Sequence, residues 1–366
     1  MLHRRLMAIA VTAVVALGIA AAPVAAHSDS HDGDHHVGST GGYTVTPLVT
    51  GPSPDSDLVN AWGLSRGPGT PWWVSDNGSD SSTLYRGDGS KVSLVVSIPG
   101  GEPTGTVFNP GAASGDFKGD TFLFASEAGM ITGWRTALGT TAEVGSDQSA
   151  RGAVYKGLAI GMADKGSGPA PYLYATDFHN GHVDVFDKTY TLQSWSKAFK
   201  DKHLPKGYAP FGIQTIGDVV YVTYAKRMKG SDDERDGRGL GIVDAYTTGG
   251  HLLGRVATRG PLDAPWGIAL APSDFGRFSG DLIIGNFGDG KLLAYKWSLH
   301  HWWFDGFLSA SSAKGCNSKP IVIDGLWAIA FGGGTTNNGP TNSLFYTAGP
   351  DDESGGAFGT VTVASH

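Results

Sequence analysis

Cysteine is almost absent from this chain, because Cys316 is the only one among 366 residues. A lone thiol cannot form a disulfide within the chain, so a disulfide framework is excluded as a source of stability. No residue next to Cys316 offers a base that would activate the thiol, and we interpret it as a buried bystander. The fold must therefore be stabilised by packing.

Basic residues are also few. The chain has 27 Lys and Arg against 34 Asp and Glu, which gives a formal net charge of −7, and it has no stripe of basic residues. A nucleic acid or an anionic membrane surface would need such a stripe, so neither is expected as a partner. We expect a monomer whose partner is a small molecule, a polymer or an extracellular protein.

The apolar run at the start of the chain, residues 6–22, is shorter than the ~20 residues that cross a bilayer as a helix. Arg4 and Arg5 precede this run, and the small residues Val24-Ala25-Ala26 follow it. This pattern is typical of a secretory signal peptide, here residues 1–26. We therefore expect a secreted protein, extracellular or periplasmic, with no membrane span after cleavage.

Residues 27–42 are rich in His and Asp, which are ligands of zinc, copper and nickel. Nothing in this segment preorganises a coordination shell, so we expect a disordered tail rather than a metal site.

Glycine is abundant, with 56 residues, and several of them belong to an internal repeat. A short phrase, clearest at residues 60–65, 264–269 and 325–330, recurs six times along the chain. Its anchor positions are Gly63, Gly105, Gly157, Gly212, Gly267 and Ala328. The spacings run from 42 residues (63 to 105) to 61 residues (267 to 328), close to the ~40 to 50 of a propeller blade with insertions.

Strand patterns follow each anchor. A second run, such as residues 172–176, is rich in β-branched and aromatic residues, and a third, such as residues 183–186, alternates in polarity. Fourth strands are predicted at residues 93–98, 142–147, 192–199 and 252–257. No fourth strand follows the last copy, so we expect residues 43–49 to supply it. These patterns predict an all-β, six-bladed β-propeller in one domain, residues 43–366, with its ring closed by an N-terminal strand.

Polar side chains at the ends of the second strands, and in the loops that lead into the inner strands, should face one rim of the channel. The residues that we predict to hold a cation there are Asp76, Glu102, Glu127, Asp177 and Asn286. Several hard oxygen ligands at one opening suit a divalent cation, with Ca2+ the best match. In the alternative interpretation, these side chains cap turns and accept hydrogen bonds from neighbouring backbone amides.

His179 and His182 lie near Asp177 in the sequence. They are either hairpin-tip residues or acid–base groups at the same rim.

Two further features have alternative interpretations. The charged insertion at residues 226–239 should rise from the same rim, as a lid or as a mobile surface loop. The pairs Trp72-Trp73 and Trp302-Trp303 could stack on sugar rings, but neighbours in a strand point to opposite faces, so one member of each pair should pack between blades. We predict that the anchor residues Trp62, Trp266 and Trp327 are structural.

The phrase at residues 265–269, and second strands that end in aspartate such as Val74-Ser75-Asp76, resemble NHL-type repeats. From about residue 58 to 359, the chain resembles an uncharacterised family of exported bacterial six-bladed propellers, with further matching stretches at residues 207–211, 278–282 and 285–290. It is more distantly similar to gluconolactonase-like propellers. That similarity implies a channel cation held by Glu, Asn and Asp, for which Glu102, Asn286 and Asp177 are of the right types.

Two classes of function remain open. The first is a propeller that binds a ligand or partner at its channel face, with or without a divalent cation. The second is a metal-dependent hydrolase or lyase of the lactonase type, in which the cation polarises a carbonyl or activates water. No nucleophile, base and orienting group can be assembled from the sequence, which favours binding.

Overall fold

The computed structural model describes residues 42–310 and 318–364. The predicted signal peptide, nearly all of the predicted tail and Cys316 lie outside the described residues.

Six antiparallel sheets of four strands each are arranged in a ring, so the prediction of a six-bladed β-propeller is confirmed. Strand β1 (Tyr43–Gly51) precedes the first blade, which contains β2 (Ala61–Ser65), β3 (Trp72–Asp76), β4 (Ser81–Tyr85) and β5 (Lys91–Ser97). The second blade contains β6 (Pro103–Phe108), β7 (Phe122–Ser126), β8 (Met130–Trp134) and β9 (Glu143–Asp147). The third contains β10 (Tyr155–Asp164), β11 (Pro169–Asp177), β12 (His182–Asp187) and β13 (Leu192–Gln193).

The remaining blades follow the same order. The fourth contains β14 (Tyr208–Ile216), β15 (Val219–Lys226), β16 (Gly241–Thr247) and β17 (Leu252–Thr258). The fifth contains β18 (Pro265–Leu270), β19 (Leu282–Asn286), β20 (Leu292–Ser298) and β21 (His301–Phe307). The sixth contains β22 (Leu326–Phe331), β23 (Leu344–Ala348) and β24 (Gly356–Val363), with β1 as its outer strand.

Short 3-10 turns lie in the loops, at Asn77–Ser79, Ala112–Ser114, Asp116–Gly119, Thr136–Leu138, Ser149–Arg151 and Gly276–Phe278. Within residues 42–310 and 318–364, none of the helical segments is long and apolar enough to serve as a membrane span.

Strand β1 closes the ring as predicted. It runs antiparallel to β24, from the pair Tyr43 and Val363 to the pair Gly51 and Gly356. The Tyr43 hydroxyl donates a hydrogen bond to the Phe275 carbonyl at 2.9 Å, which ties the strand to the fifth blade. Pairing with β1 also covers the edge of β24, which would otherwise be open to association with another chain.

The outer strand of the third blade is shorter than predicted, because it ends at Gln193 instead of Phe199. The chain leaves the sheet there and turns inward. Phe199 is buried, with its ring centroid 5.1 Å from that of Tyr174 and 5.4 Å from that of Tyr246. Burying this aromatic ring between the third and fourth blades replaces the backbone pairing that the apolar pattern suggested.

The repeated glycines mark close approaches between neighbouring inner strands. A Cβ atom on Gly63 would lie 2.3 Å from the Thr104 carbonyl oxygen, and one on Gly212 would lie 2.1 Å from the Trp266 carbonyl oxygen. No larger residue fits at these positions without moving the adjacent blade. The internal repeat therefore has a steric cause at the centre of the ring.

Buried tyrosine–aspartate pairs stabilise several blades away from the centre. Tyr85 donates to Asp55 at 2.7 Å, Tyr155 to Asp184 at 2.8 Å, and Tyr190 to Asp120 at 2.6 Å. Burial raises the pKa of each of these three tyrosines, which keeps the hydroxyl protonated as a donor.

Candidate functional site

The strand register brings one end of every blade to the same rim of the ring, which we call the channel mouth. In the first, third and fifth blades, the start of the inner strand pairs with the last residue of the second strand, as Ala61 with Asp76, Tyr155 with Asp177, and Pro265 with Asn286. In the second blade the partner of Pro103 is Ser126. Glu127 is therefore one residue beyond the strand, and not in register with Asp76 as the sequence suggested.

The side chains that precede the anchor positions, one from each blade, lie near the centre of the ring, and four of them belong to one buried cluster. These residues are Trp62, Thr104, Lys156, Phe211, Trp266 and Trp327. The rings of Trp62 and Trp327 stack with centroids 3.5 Å apart, and Trp266 meets both edge-on at 6.2 and 5.9 Å. Phe287 stacks on Trp327 at 4.0 Å. The predicted structural role of the tryptophans thus takes the form of an aromatic floor under the mouth.

Lys156 occupies the place in the third blade that tryptophan occupies in three others. Its side chain is only 3% exposed, and its Nζ lies 2.5 Å from Oε1 of Glu127. The ammonium lies 5.2 Å from the centroid of the Trp62 ring, and the Trp266 indole donates to the Lys156 carbonyl at 2.9 Å. A buried cation among aromatic rings is thus paired with a carboxylate at the mouth.

A chain of side-chain hydrogen bonds extends this pair around the mouth. Asn77 donates to Glu127 at 3.0 Å, and Asn60 donates to Asn77 at 3.2 Å and to Glu353 at 3.0 Å. The Trp327 indole donates to the Asn60 side-chain oxygen at 3.0 Å. These groups come from the second, first and sixth blades, so the network depends on the closed ring.

The charged insertion after β15 spans part of the mouth. Asp232 lies 2.6 Å from His179 of the third blade, and the Gly237 amide donates to Asp263, in the lead-in to the fifth blade, at 2.6 Å. Arg227 donates to the Phe178 carbonyl at 3.2 Å. The insertion is therefore attached at both sides, and Glu234 lies between the two attachments.

Several titratable groups at the mouth have shifted pKa values. Burial raises the pKa of Glu234 to about 7, against an opposing effect of Lys156. Burial also raises the pKa of Glu353 and of Glu102, and the charge of Glu127 adds to both shifts. Burial alone would lower the pKa of Lys156, but the neighbouring Glu127 and Glu234 raise it above its ordinary value. The mouth thus carries one buried cation and a surplus of carboxylates.

Of the five residues predicted to hold a cation, Glu102 and Glu127 lie near Lys156, whereas Asp76, Asp177 and Asn286 are fully buried. Asp76 accepts a bond from the Thr83 amide at 2.8 Å, and Asp177 accepts one from the Asn180 amide at 3.0 Å. Asn286 donates to the Pro261 carbonyl at 2.9 Å. These contacts fit the alternative interpretation, whereas Oδ1 of Asp76 and Oδ1 of Asn286 are buried without a hydrogen-bond partner among the described residues. The cation site at the mouth stays a prediction.

A different acidic group has ligand atoms close together. Among the described residues, Asp177, His182 and Asp184 offer ligand atoms within 4.8 Å of one another. Nε2 of His182 lies 3.0 Å from Asp184 and 3.8 Å from Asp177. Oδ2 of Asp184 also accepts bonds from Tyr155 at 2.8 Å and from Arg151 at 3.2 Å. Oδ1 of Asp184 faces His182, so it remains a ligand atom for a divalent cation together with His182 and Asp177.

One feature of the sequence indicated the buried Lys156 pair but was not used in the predictions. Lysine at the position before the anchor glycine breaks a series that is otherwise aromatic or small. A lone charge at a position that faces the centre of a ring must be paired, which indicates a carboxylate from another blade.

No known protein-family profile matches the chain. An uncharacterised protein of Acanthamoeba polyphaga mimivirus is 26% identical over 324 residues, covering 84% of this chain and 81% of the relative. This relative is viral, so membership in an exported bacterial family stays a prediction.

Solved structures resemble the propeller at low sequence identity. A protein of unknown function from Bacteroides thetaiotaomicron has a TM-score of 0.55 at 12% identity, covering 87% of this chain and 76% of its own. A gluconolactonase from Xanthomonas campestris has a TM-score of 0.42 at 17% identity, covering 67% of this chain and 72% of its own. The likeness to the Bacteroides thetaiotaomicron protein is one of fold, and fold does not transmit activity.

Proposed function

We propose that this β-propeller binds a small polar ligand at the channel mouth, directly above the aromatic floor. The observation that carries the proposal is the Lys156 ammonium, 3% exposed and paired with Glu127 at 2.5 Å, beside the carboxylates of Glu234 and Glu353. A well-packed apolar pair would often be as stable as a buried ion pair, whereas clusters of groups with shifted pKa values concentrate at functional sites.

The chemistry of the mouth defines the class of ligand. Lys156 and Asn60 already donate to carboxylates, so the groups left over are mainly acceptor oxygens of Glu102, Glu234 and Glu353. A ligand with several hydroxyl or amino groups can donate to them, and its apolar face can rest on the rings below. Sugars, amino sugars and polyols have this character.

Isothermal titration of the purified protein with monosaccharides, amino sugars and polyols tests the proposal. We expect one of these classes to bind, and Glu353→Gln to weaken binding about tenfold or more, because it removes a charged acceptor. Glu143→Gln is the matched control, because Glu143 lies on the outer strand β9 and pairs with Arg135 there. Binding that is unchanged in Glu353→Gln and in Glu234→Gln would refute the mouth as the site.

A metal-dependent hydrolase or lyase is the second candidate, and two observations favour it. Glu234 has a pKa of about 7, which suits proton transfer near neutral pH. Asp177, His182 and Asp184 have the donor atoms that a divalent cation requires. Elemental analysis of wild type and His182→Ala separates the candidates. A stoichiometric cation that is lost in the variant supports the enzyme, whereas a metal-free protein whose melting temperature ignores Ca2+, Mg2+ and Zn2+ refutes it.

Export is part of the same proposal. Residues 1–26 have the charged, apolar and small-residue segments of a secretory signal. Expression of the full chain in a bacterial host should yield mature protein that begins at His27, as N-terminal sequencing would determine. Full-length protein retained in the cytoplasm would refute export.

A further inference from the structure

A groove of about 680 Å³ lies on the face opposite the channel mouth, between the outer parts of the fourth and fifth blades. Its lining includes Tyr221, Leu253, Leu270, Trp297, His301 and Trp302. Leu270 ends the inner strand β18, and residues 299–300 join β20 to β21. These are the strand ends that point away from the mouth, so the groove is separate from the site around Lys156.

Aromatic rings form one wall of the groove. Trp297 and Trp302 face each other across the β20–β21 hairpin, with ring centroids 5.2 Å apart at 57°. Trp302 is partly buried and meets Tyr221 edge-on at 6.3 Å, which fixes its orientation. Trp297 is 54% exposed, so much of its indole is accessible to a ligand.

Several large apolar side chains around the groove are exposed and are not covered by any other described residue. Leu253 is 57% exposed and Leu270 is 48% exposed, next to the half-exposed Trp297. Contiguous exposed apolar groups on a folded protein mark binding sites more often than chance. The volume also lies within the ~300–1,000 Å³ typical of ligand clefts.

The described lining of the groove has no unpaired Lys, Arg, Asp or Glu. Arg255 is the one Lys, Arg, Asp or Glu in its described lining, and both Asp201 and Asp244 contact its guanidinium. Hydrogen-bonding groups remain at the margins, in His300, His301 and the Tyr221 hydroxyl. The described lining thus combines flat apolar rings with imidazole and phenol groups.

We propose that this groove binds a neutral polysaccharide chain, with Trp297 as the stacking platform. A sugar ring has an apolar face that packs on an indole and a rim of hydroxyl groups that reach neighbouring polar side chains. An acyl chain would leave those polar groups without partners, which is costly. A second copy of the protein would need about 20–30 residues a side for a stable interface, whereas twelve described residues line the groove.

Affinity electrophoresis in gels that contain a soluble β-1,4-glucan, a β-1,3-glucan, a xylan or a dextran tests this proposal. We expect at least one of these polymers to retard the protein, and Trp297→Ala to raise the dissociation constant about tenfold. Trp303→Ala is the matched control. Trp303 is 57% exposed but points to the opposite face of β21 and does not line the groove, so its loss should leave retardation unchanged.

Three outcomes would overturn the proposal. The first is that none of the four polymers retards the wild-type protein. The second is that Trp297→Ala and Trp303→Ala reduce retardation equally, which would indicate nonspecific stickiness. The third is a wild-type dimer in light scattering that Trp297→Ala dissociates, because a second copy would then cover the groove. Glu353→Gln should retain polysaccharide binding, so failure of the mouth proposal and failure of this one are distinguishable.

Discussion

The indole rings of Trp62 and Trp327 stack with centroids 3.5 Å apart, and they join the first blade to the last across the centre of the ring. Trp327 also donates to Asn60, one of the groups that reach Glu353 at the mouth. The aromatic floor and the polar network above it are thus connected through one side chain. Closing the ring therefore also assembles the candidate site.

Lys156→Met should lower the free energy of unfolding by about 3 kcal/mol, because it leaves the Glu127 carboxylate without its cation. Urea unfolding would measure the loss. Lys118→Met is the control, because Lys118 is 45% exposed and 3.6 Å from Glu143, and an exposed pair contributes under about 1 kcal/mol. Equal losses in the two variants would contradict the assigned burial of Lys156.

Glu234 should make stability depend on pH. Its pKa is about 7 in the folded protein and near 4.5 when unfolded, so the folded state binds more protons between these values. Wild type should therefore lose stability relative to Glu234→Gln as pH rises from 4.5 through 7, and the loss should level off about one pH unit above the folded pKa. Unfolding curves of wild type and Glu234→Gln across this pH range measure the difference. If the stability of Glu234→Gln and of wild type changed with pH in the same way, the burial of this carboxyl would be contradicted.

Gly63→Ala should destabilise the protein by about 2 kcal/mol or more, because the new Cβ would lie 2.3 Å from the Thr104 carbonyl oxygen. Thermal unfolding would show the loss. Gly69→Ala has no atom within 4 Å of its added Cβ and should be neutral or slightly stabilising. A tolerated Gly63→Ala would mean that the inner strands can separate at the centre of the ring.

Tyr190→Phe should cost about 1–2 kcal/mol, because it removes the 2.6 Å hydrogen bond to the buried Asp120 carboxylate. Tyr172→Phe provides the comparison, because its hydroxyl has no hydrogen-bond partner within the described residues, and it should change little. Denaturant unfolding of both variants, at one pH, tests the buried pair. A loss in Tyr172→Phe as large as in Tyr190→Phe would mean that the loss does not come from the hydrogen bond to Asp120.

Most of the fold was predictable because its signals are local. Glycines at regular spacing, alternating strands and an unpaired N-terminal strand indicated the number of blades and the closure of the ring. The outer strand of the third blade was predicted too long. The apolar residues after Gln193 look like a strand, whereas Phe199 packs between blades.

The candidate site was only partly predictable. Of the five predicted cation ligands, Glu102 and Glu127 lie near Lys156, whereas Asp76, Asp177 and Asn286 are buried at the ends of their strands, and cation binding stays a prediction. A one-residue difference in register decides between these outcomes, because successive side chains in a strand point to opposite faces. Glu127 extends past its strand and reaches Lys156, whereas Asp76 is the last residue of its strand and bonds to the next one.

By itself, the sequence determined a repeating all-β architecture, because alternating strands and repeated glycines are patterns within short segments of the chain. Only the tertiary structure decided which charges meet. Asn60, Glu127, Lys156, Glu234 and Glu353 come from five blades, and no local pattern encodes a distance between blades. The closed ring brings them together, and the low polarity of its centre makes their pairing obligatory.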